Sequence, residues 1–197
     1  ACAPFRRLNL CVRNLENISN YEKINKDTLL ADVCLAALHE GAAISADHGK
    51  YQQTNDSSQL CTMLARSFAD IGDIIRGKDL YLGNPQESAR RKQLEENFKK
   101  IFKKIHDDVM KTNGEAAKER YKDTDNYYEL REDWWYANRE KVWKAIRCGA
   151  PKEAKYFIKT ACGQGKETHG YCRCISGDVP TFFDYVPQFL RWFEEWA

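Results

Sequence analysis

The stretch from Leu60 to Gly77, LCTMLARSFADIGDIIRG, constrains the fold more than any other part of the chain. Laid on a helix, Leu60, Leu64, Phe68, Ile71 and Ile75 form one apolar stripe. Arg66, Asp70 and Asp73 fall on the other side, with Arg66 and Asp70 spaced as an i,i+4 ion pair. That placement makes the two aspartates solvated surface charges rather than paired carboxylates for acid–base work. Cys61 borders the stripe, so a crosslink from it would point inward. Gly77 supplies the helix stop.

The other apolar segments read as packing around this helix. Residues 1–26 are irregular, and CAPFRRLNLC holds no period of 2 or 3.6. Asp27 or Thr28 caps a helix through LLADVCLAALHEGAAI, with Leu30, Val33, Cys34 and Ala37 on one face. Residues 46–59 are polar, a loop or a frayed helix end. Residues 78–86 form a turn broken by Asn84-Pro85. A helix near 88–111 buries Leu94, Phe98, Ile101, Phe102, Ile105 and Val109, and the charged stretch 112–126 reads as a loop. In a helix over about 127–147, Trp134, Trp135, Val142, Trp143 and Ile146 cover more than half the circumference, which predicts a sandwiched position. Gly149 and Pro151 close it. A cysteine-rich loop fills 160–180, and Pro187 opens a last helix carrying Leu190, Phe193 and Trp196. No strand alternation lasts five residues. These patterns predict an all-α, disulfide-stapled helical bundle.

At 197 residues the chain is one large domain or two small ones. A net charge of +2 gives no field suited to nucleic acid. No apolar run approaches the roughly 18 residues of a membrane span, and no signal peptide opens the chain. Starting at Ala1 and stopping inside an apolar pattern, the sequence reads as an excised piece. The cysteines, Cys2, Cys11, Cys34, Cys61, Cys148, Cys162, Cys172 and Cys174, suit an oxidising, extracellular setting; buried cytosolic thiols are the bland alternative. Asn17 and Asn55 each open a glycosylation sequon.

Few constellations point to chemistry. Cys162, His169, Cys172 and Cys174 form a Cys₃His set, but the C-x-C step is cramped for one zinc ion and no second knuckle matches it. His39, His48, His106 and His169 lie in polar or loop contexts, away from any signature that activates a cysteine. No Walker loop, G-x-G-x-x-G or H-E-x-x-H is present. The reading is therefore not an enzyme, with no metal and no cofactor. Lys99, Lys100, Lys103 and Lys104 make a row suited to a sulfated polysaccharide, partly offset if Glu96 and Asp107 pair with Lys100 and Lys103. Arg6, Arg7 and Arg13 are a second basic candidate.

ARSFADIGDIIRGKDLY (65–81), LREDWWYANREKVWKAIRCGA (130–150) and VPTFFDYVPQFLRWFEEW (179–196) resemble the three signature blocks of Duffy-binding-like domains in the malaria parasite's variant erythrocyte membrane protein 1 family. ACAPFRRLNLC resembles the start of the alpha class. The resemblance implies a fold of three subdomains, with 1–26 ending the first, 27–180 forming the helical second and 181–197 starting the third. It implies a non-enzymatic adhesion module on the surface of infected red cells. Expected partners are a host cell-surface receptor or sulfated glycan, antibodies and neighbouring domains. Rosetting, heparan sulfate-like glycans, blood-group sugars and complement receptor are the associations of the alpha class. Two other readings stand beside it: a scaffold or antibody target whose neighbour holds the receptor, and a secreted thiol or zinc enzyme. The family pattern further suggests bridges Cys61–Cys174, Cys162–Cys172 and Cys34–Cys148, each worth roughly 2–4 kcal/mol. Cys2 and Cys11 pair with each other or with partners upstream.

Overall fold

A computed structural model describes residues 2–51, 59–154, 156, 158, 160–162 and 165–197. Two short helices, α1 (Phe5–Leu8) and α2 (Arg13–Glu16), and a 3-10 turn at Tyr21–Lys23 lead into four long helices: α3 (Lys26–Tyr51), α4 (Leu60–Arg76), α5 (Pro85–Arg120) and α6 (Tyr128–Ile146). A 3-10 turn at Phe183–Tyr185 and helix α7 (Gln188–Trp196) follow. Among the described residues the only β pairing is two isolated bridges, Cys162–Lys166 and His169–Arg173.

The bundle is built around α4, as its stripe predicts. Leu60, Leu64, Phe68, Ile71 and Ile75 are all buried, and Gly77 ends the helix in the left-handed region at φ 73°. α6 lies in the sandwiched position, packing against α3, α4 and α5. Phe68 sits between two of its indoles, 5.1 Å from Trp135 and 5.3 Å from Trp143 by ring centroid. The approach is close because small residues permit it. A β-carbon on Gly72 would stand 2.7 Å from the Trp135 ring, and one on Gly41 of α3 would meet the Ile146 carbonyl oxygen at 1.7 Å.

Several boundaries differ from the sequence expectation. α3 extends through residues read as polar loop, because His48 stays buried one turn beyond Ile44. Residues 52–58, the rest of that expected loop and the site of Asn55, lie outside the described residues. α3 is also long and apolar enough, by length and composition, to cross a membrane, contrary to the expectation that no segment would be; here it packs on α4 and α6. Asn84-Pro85 starts a helix rather than breaking one. The Asn84 side chain accepts from the Glu87 N–H, Glu87 accepts from the Asn84 N–H (both 2.9 Å), and Pro85 takes the first helical position. At the other end α5 continues past a non-helical Gly114 (φ 48°, ψ −125°) to Arg120, so most of the expected 112–126 loop is helical. Ala117 is buried there, and Arg120 pairs with Asp133 of α6.

Two disulfides staple this frame, with partners exchanged relative to the family expectation. Cys61 is joined to Cys172, and Cys162 to Cys174. Cys34 and Cys148 are free and out of reach of each other. Gly149, next to Cys148, lies against Ser45 of α3. Cys34 is eleven residues earlier on that helix, about 16 Å at 1.5 Å per residue, where a bridge needs Cα atoms within ~7 Å. Cys2 and Cys11 are likewise free.

Candidate functional site

The polar side of α4 is not solvated. Of the whole helix, only Met63 and Arg66 are not buried, because α1, α7 and the Phe183–Tyr185 turn cover the face bearing Asp70 and Asp73. Asp70 pairs with Arg6 at 2.8 Å and accepts hydrogen bonds from Arg191 (2.7 Å) and Gln188 (3.0 Å). Asp73 pairs with Arg76 at 2.9 Å and with Arg191. Arg66 does not reach Asp70; it pairs with Glu194 of α7 at 2.6 Å. Burial pushes a carboxyl upward, and the two aspartates resolve this differently. At Asp70 the charges of Arg6 and Arg191 overcome burial and hold the carboxyl below its ordinary value. At Asp73 burial prevails over Arg191 and Arg76 and pushes it up to about 6.

This network absorbs one pair of expected ligand residues. Arg6 also holds Glu195 of α7 in a two-pronged bond (3.0 and 2.8 Å). Burial would lower its pKa, but Asp70 and Glu195 hold the guanidinium charged, above its usual range. Arg7 is fully buried and pairs with Asp79. Both are structural cations, unavailable to an external anion. Arg131 of α6 was not singled out in the sequence, yet it is buried and donates to the Ile74 and Ile75 carbonyls (3.2 and 2.6 Å) at the open end of α4. Arg139 reaches Asp184 with two bonds of 2.7 Å, and Trp135 Nε1 donates to the same carboxylate at 2.9 Å.

The lysine row on α5 has the opposite surroundings. Lys100 and Lys103 are exposed and Lys99 and Lys104 partly so. Lys99, not Lys100, pairs with Glu96 (3.4 Å), while Asp107 lies near His106 rather than Lys103. Lys100 stands 5.2 Å over the Tyr21 ring, and Lys104 donates to the Glu22 carbonyl. The row therefore divides into one pair against the Tyr21–Lys23 turn and another, Lys99 and Lys103, pointing past it.

Cysteine chemistry is muted. Cys162, Cys172 and Cys174 of the Cys₃His set are committed to disulfides. Burial, then the Glu40 carboxylate, pushes the Cys11 thiol up to about 11, and burial raises that of Cys34, so neither is a ready thiolate at neutral pH. Asn17 of the first sequon is exposed. In α7 the expected apolar stripe faces outward. Leu190, Phe193 (69% exposed) and Trp196 lie on the surface with Phe189, Phe182 and Phe5, while Gln188, Arg191 and Trp192 face α4. The inner face of α7 carries Gln188 and Arg191 because it meets Asp70 and Asp73, which leaves the apolar side exposed.

The family model described as "Duffy binding domain" matches residues 1–191. The chain is 25% identical over 201 residues to the Duffy receptor beta form of Plasmodium knowlesi and 24% identical over 203 residues to the Duffy receptor of Plasmodium vivax (strain Salvador I). It spans only 14% and 15% of those proteins. Among solved structures it resembles the NTS-DBL1(alpha-1) domain of the Plasmodium falciparum membrane protein 1 (PfEMP1) from the varO strain, with 43% identity and a TM-score of 0.80, covering all of this chain and 43% of that one. A PfEMP1 DBLb domain bound to human ICAM-1 is also similar, at 32% identity and a TM-score of 0.71 over 97% of this chain and 38% of that one.

Proposed function

Because the chain belongs to the Duffy binding domain family, and its fold is that of the PfEMP1 Duffy-binding-like domains, we propose that it is an extracellular adhesion module of a variant surface antigen, displayed on the infected red cell and binding a host cell-surface receptor. The observation that carries this reading is the likeness, over nearly the whole chain, to domains of which one is bound to human ICAM-1. A binding role also suits the interior: the buried carboxylates are tied to arginines, and the Cys11 and Cys34 thiols are held protonated, so these groups serve rigidity rather than reaction. The alpha-1 neighbour is closer in identity than the beta neighbours, 43% against 32–33%, which supports the alpha class and its association with rosetting.

The ligand surface we assign is the lysine row, with a polyanionic glycan as its partner. Arg6 and Arg7 drop out of it, and Lys103 and Lys99 become its leading members, since Lys100 and Lys104 are engaged with the 21–23 turn. Residues 1–26, 27–180 and 181–197 stay assigned to the first, second and third subdomains, and the outward apolar face of α7 fits a surface on which a neighbouring domain packs. A screen of immobilised host receptors and sulfated and neutral glycans, run at two salt concentrations, tests the adhesion reading. Salt-sensitive binding to at least one cell-surface ligand is expected; no binding to any at either salt favours the scaffold reading, in which a neighbour holds the receptor.

A further inference from the structure

The last stretch of α5 stands apart from the rest of that helix. Leu94, Phe98, Ile101, Phe102 and Ile105, all buried, hold its earlier turns. Gly114 then leaves helical geometry at φ 48° and ψ −125°, a backbone that L side chains rarely adopt. A β-carbon there would meet no atom within 4 Å, so the position demands glycine's backbone freedom and not its small size. Beyond it, Glu115 to Arg120 form a turn and a half of helix in a new direction. Of these residues only Ala117 is buried.

The polar contacts of this arm converge on one carboxylate. Asp133 of α6 accepts from Arg120 Nε (2.5 Å) and Nη2 (2.6 Å) and from the Tyr121 hydroxyl (2.8 Å). Arg120, with help from Tyr121, holds the Asp133 carboxyl below its ordinary value. His106 Nε2 donates to the Tyr121 carbonyl at 3.2 Å. A segment with one small buried side chain and its other contacts near the surface belongs to the low-stability end of a fold, where local opening precedes global unfolding. Its residues, Glu115, Ala116, Ala117, Lys118, Glu119 and Arg120, are strong helix formers. Once Gly114 takes ordinary helical angles, the arm propagates α5 as a straight helix with no new nucleation. The connection to α6 is long enough to follow. His106 and Tyr127 lie side by side, with ring centroids 5.4 Å apart. In a straight helix Arg120 would stand about 21 Å beyond His106 at 1.5 Å per residue. The chain from there to Tyr127 reaches about 23–25 Å when extended. Stretching it breaks the turn in which Asp123 accepts from the Asp125, Asn126 and Tyr128 N–H groups (3.0, 3.0 and 3.1 Å), so the docked position is the ground state.

We propose that residues 115–120 form a hinged arm with two positions: docked on α6 by the Gly114 kink and the Asp133 latch, and straight, as a continuation of α5. The straight form uncovers Ala117 and Tyr121 and changes the outline of the α5–α6 edge. A partner that contacts this edge therefore selects between two shapes. The rest of the bundle stays in place, because the large buried side chains of α5 all lie before Gly114.

Amide hydrogen exchange of the whole chain, read by mass spectrometry, tests the arm. Residues 115–121 are expected to exchange through a local opening that mild denaturant does not accelerate, while 94–106 exchange through a denaturant-sensitive one. Asp133→Asn removes the charge of the latch and should speed exchange at 115–121 by about tenfold, the scale of one hydrogen bond to a charged group. Exchange at 94–106 and the melting temperature should hardly change. Gly114→Ala disfavours the docked backbone and favours the straight helix, so it should speed exchange at 115–121 at least as much. The double variant should then match Gly114→Ala alone, since both substitutions release the same arm. If the Gly114→Ala chain does not fold, Arg120→Met takes its place, with the same confinement to 115–121 and the same lack of additivity with Asp133→Asn. Three results overturn the proposal. They are unchanged exchange at 115–121 in Asp133→Asn, acceleration that spreads to 94–106 so that the arm is part of the rigid bundle, and effects that multiply in the double variant.

Discussion

The face of α4 that carries Asp70 and Asp73 and the face of α5 that carries Lys99 to Lys104 look alike in sequence: each sets charges opposite an apolar stripe. In the folded chain they differ completely. The α4 charges lie at the centre of the molecule, covered by α1 and α7 and matched by Arg6, Arg76 and Arg191. The α5 charges stay at the surface with partial pairing. A helix face is solvated only if no other element claims it, and α4 is claimed on every side. Buried charge then acts as a specificity device, fixing where the first and last helices dock, while surface charge remains available for a partner.

The strongest way to break this contrast is to remove one buried partner. Asp70→Ala leaves Arg6 and Arg191 without their shared carboxylate in a site of 0% exposure. Loss of one member of a buried pair costs about 3–5 kcal/mol. Chemical denaturation should show a loss of that order; a loss below about 1 kcal/mol would mean that α1 and α7 yield and let water in.

Slightly less is expected from the staple. Cys61→Ser frees the start of α4 from the 172–174 loop, and a bridge is worth about 2–4 kcal/mol. Non-reducing peptide mapping of the parent protein should find Cys61 with Cys172 and Cys162 with Cys174, and thiol titration should find Cys34 and Cys148 free.

What could be read in advance follows the same division. The apolar stripes of α4 and α5 and the sandwiched tryptophans of α6 were legible because burial of large apolar surface dominates their placement. The Asn84-Pro85-Gln86-Glu87 cap of α5 is written in the sequence too, since a proline that cannot continue a preceding helix is equally suited to open the next one. The covered polar face of α4 was not legible. Asp70, Asp73, Arg6 and Arg191 are far apart in sequence, and no periodicity distinguishes a charge matched across that distance from a solvated one. The outward turn of Leu190 and Phe193 follows from the same matching, since α7 must present Gln188 and Arg191 inward. The choice between Cys172 and Cys174 as partner of Cys61 turns on two sites of almost identical spacing. Availability of the lysines was legible, but their division by Tyr21 and Glu22 was not, because it depends on where the 21–23 turn comes to rest.

A pH series sharpens the contrast inside the buried network itself. Asp70 has a lowered folded pKa, so its contribution is fully present above the ordinary carboxylate value and is lost as pH falls from there through the lower folded value. Asp73 works in the other direction. Its folded value of about 6 lies above the ordinary 3.8, so between those values the folded protein holds a proton that the unfolded chain has released. Its contribution therefore favours folding at low pH and fades as pH rises across that window. The stability of the parent relative to Asp73→Asn should fall between pH 4 and pH 6. A difference that stays flat would show that Arg191 and Arg76 keep Asp73 ionised throughout.

The smallest effect on stability, and the one that separates the two regions most cleanly, belongs to the α5 surface. Lys99→Glu with Lys103→Glu alters two side chains that point away from the stripe of Leu94, Phe98, Ile101 and Phe102, which stays buried. Substitutions away from special contacts usually stay within about ±0.5 kcal/mol, so the melting curve should hardly move. Heparin affinity should drop at low salt, and parent and variant should converge at high salt, because the screening length shrinks from about 10 Å at 0.1 M to about 3 Å at 1 M. Unchanged stability with unchanged heparin affinity would make the row an ordinary solvated face. A large loss of stability would place it with the α4 charges, as part of the scaffold, because Glu96 would then depend on Lys99 as Arg6 and Arg191 depend on Asp70.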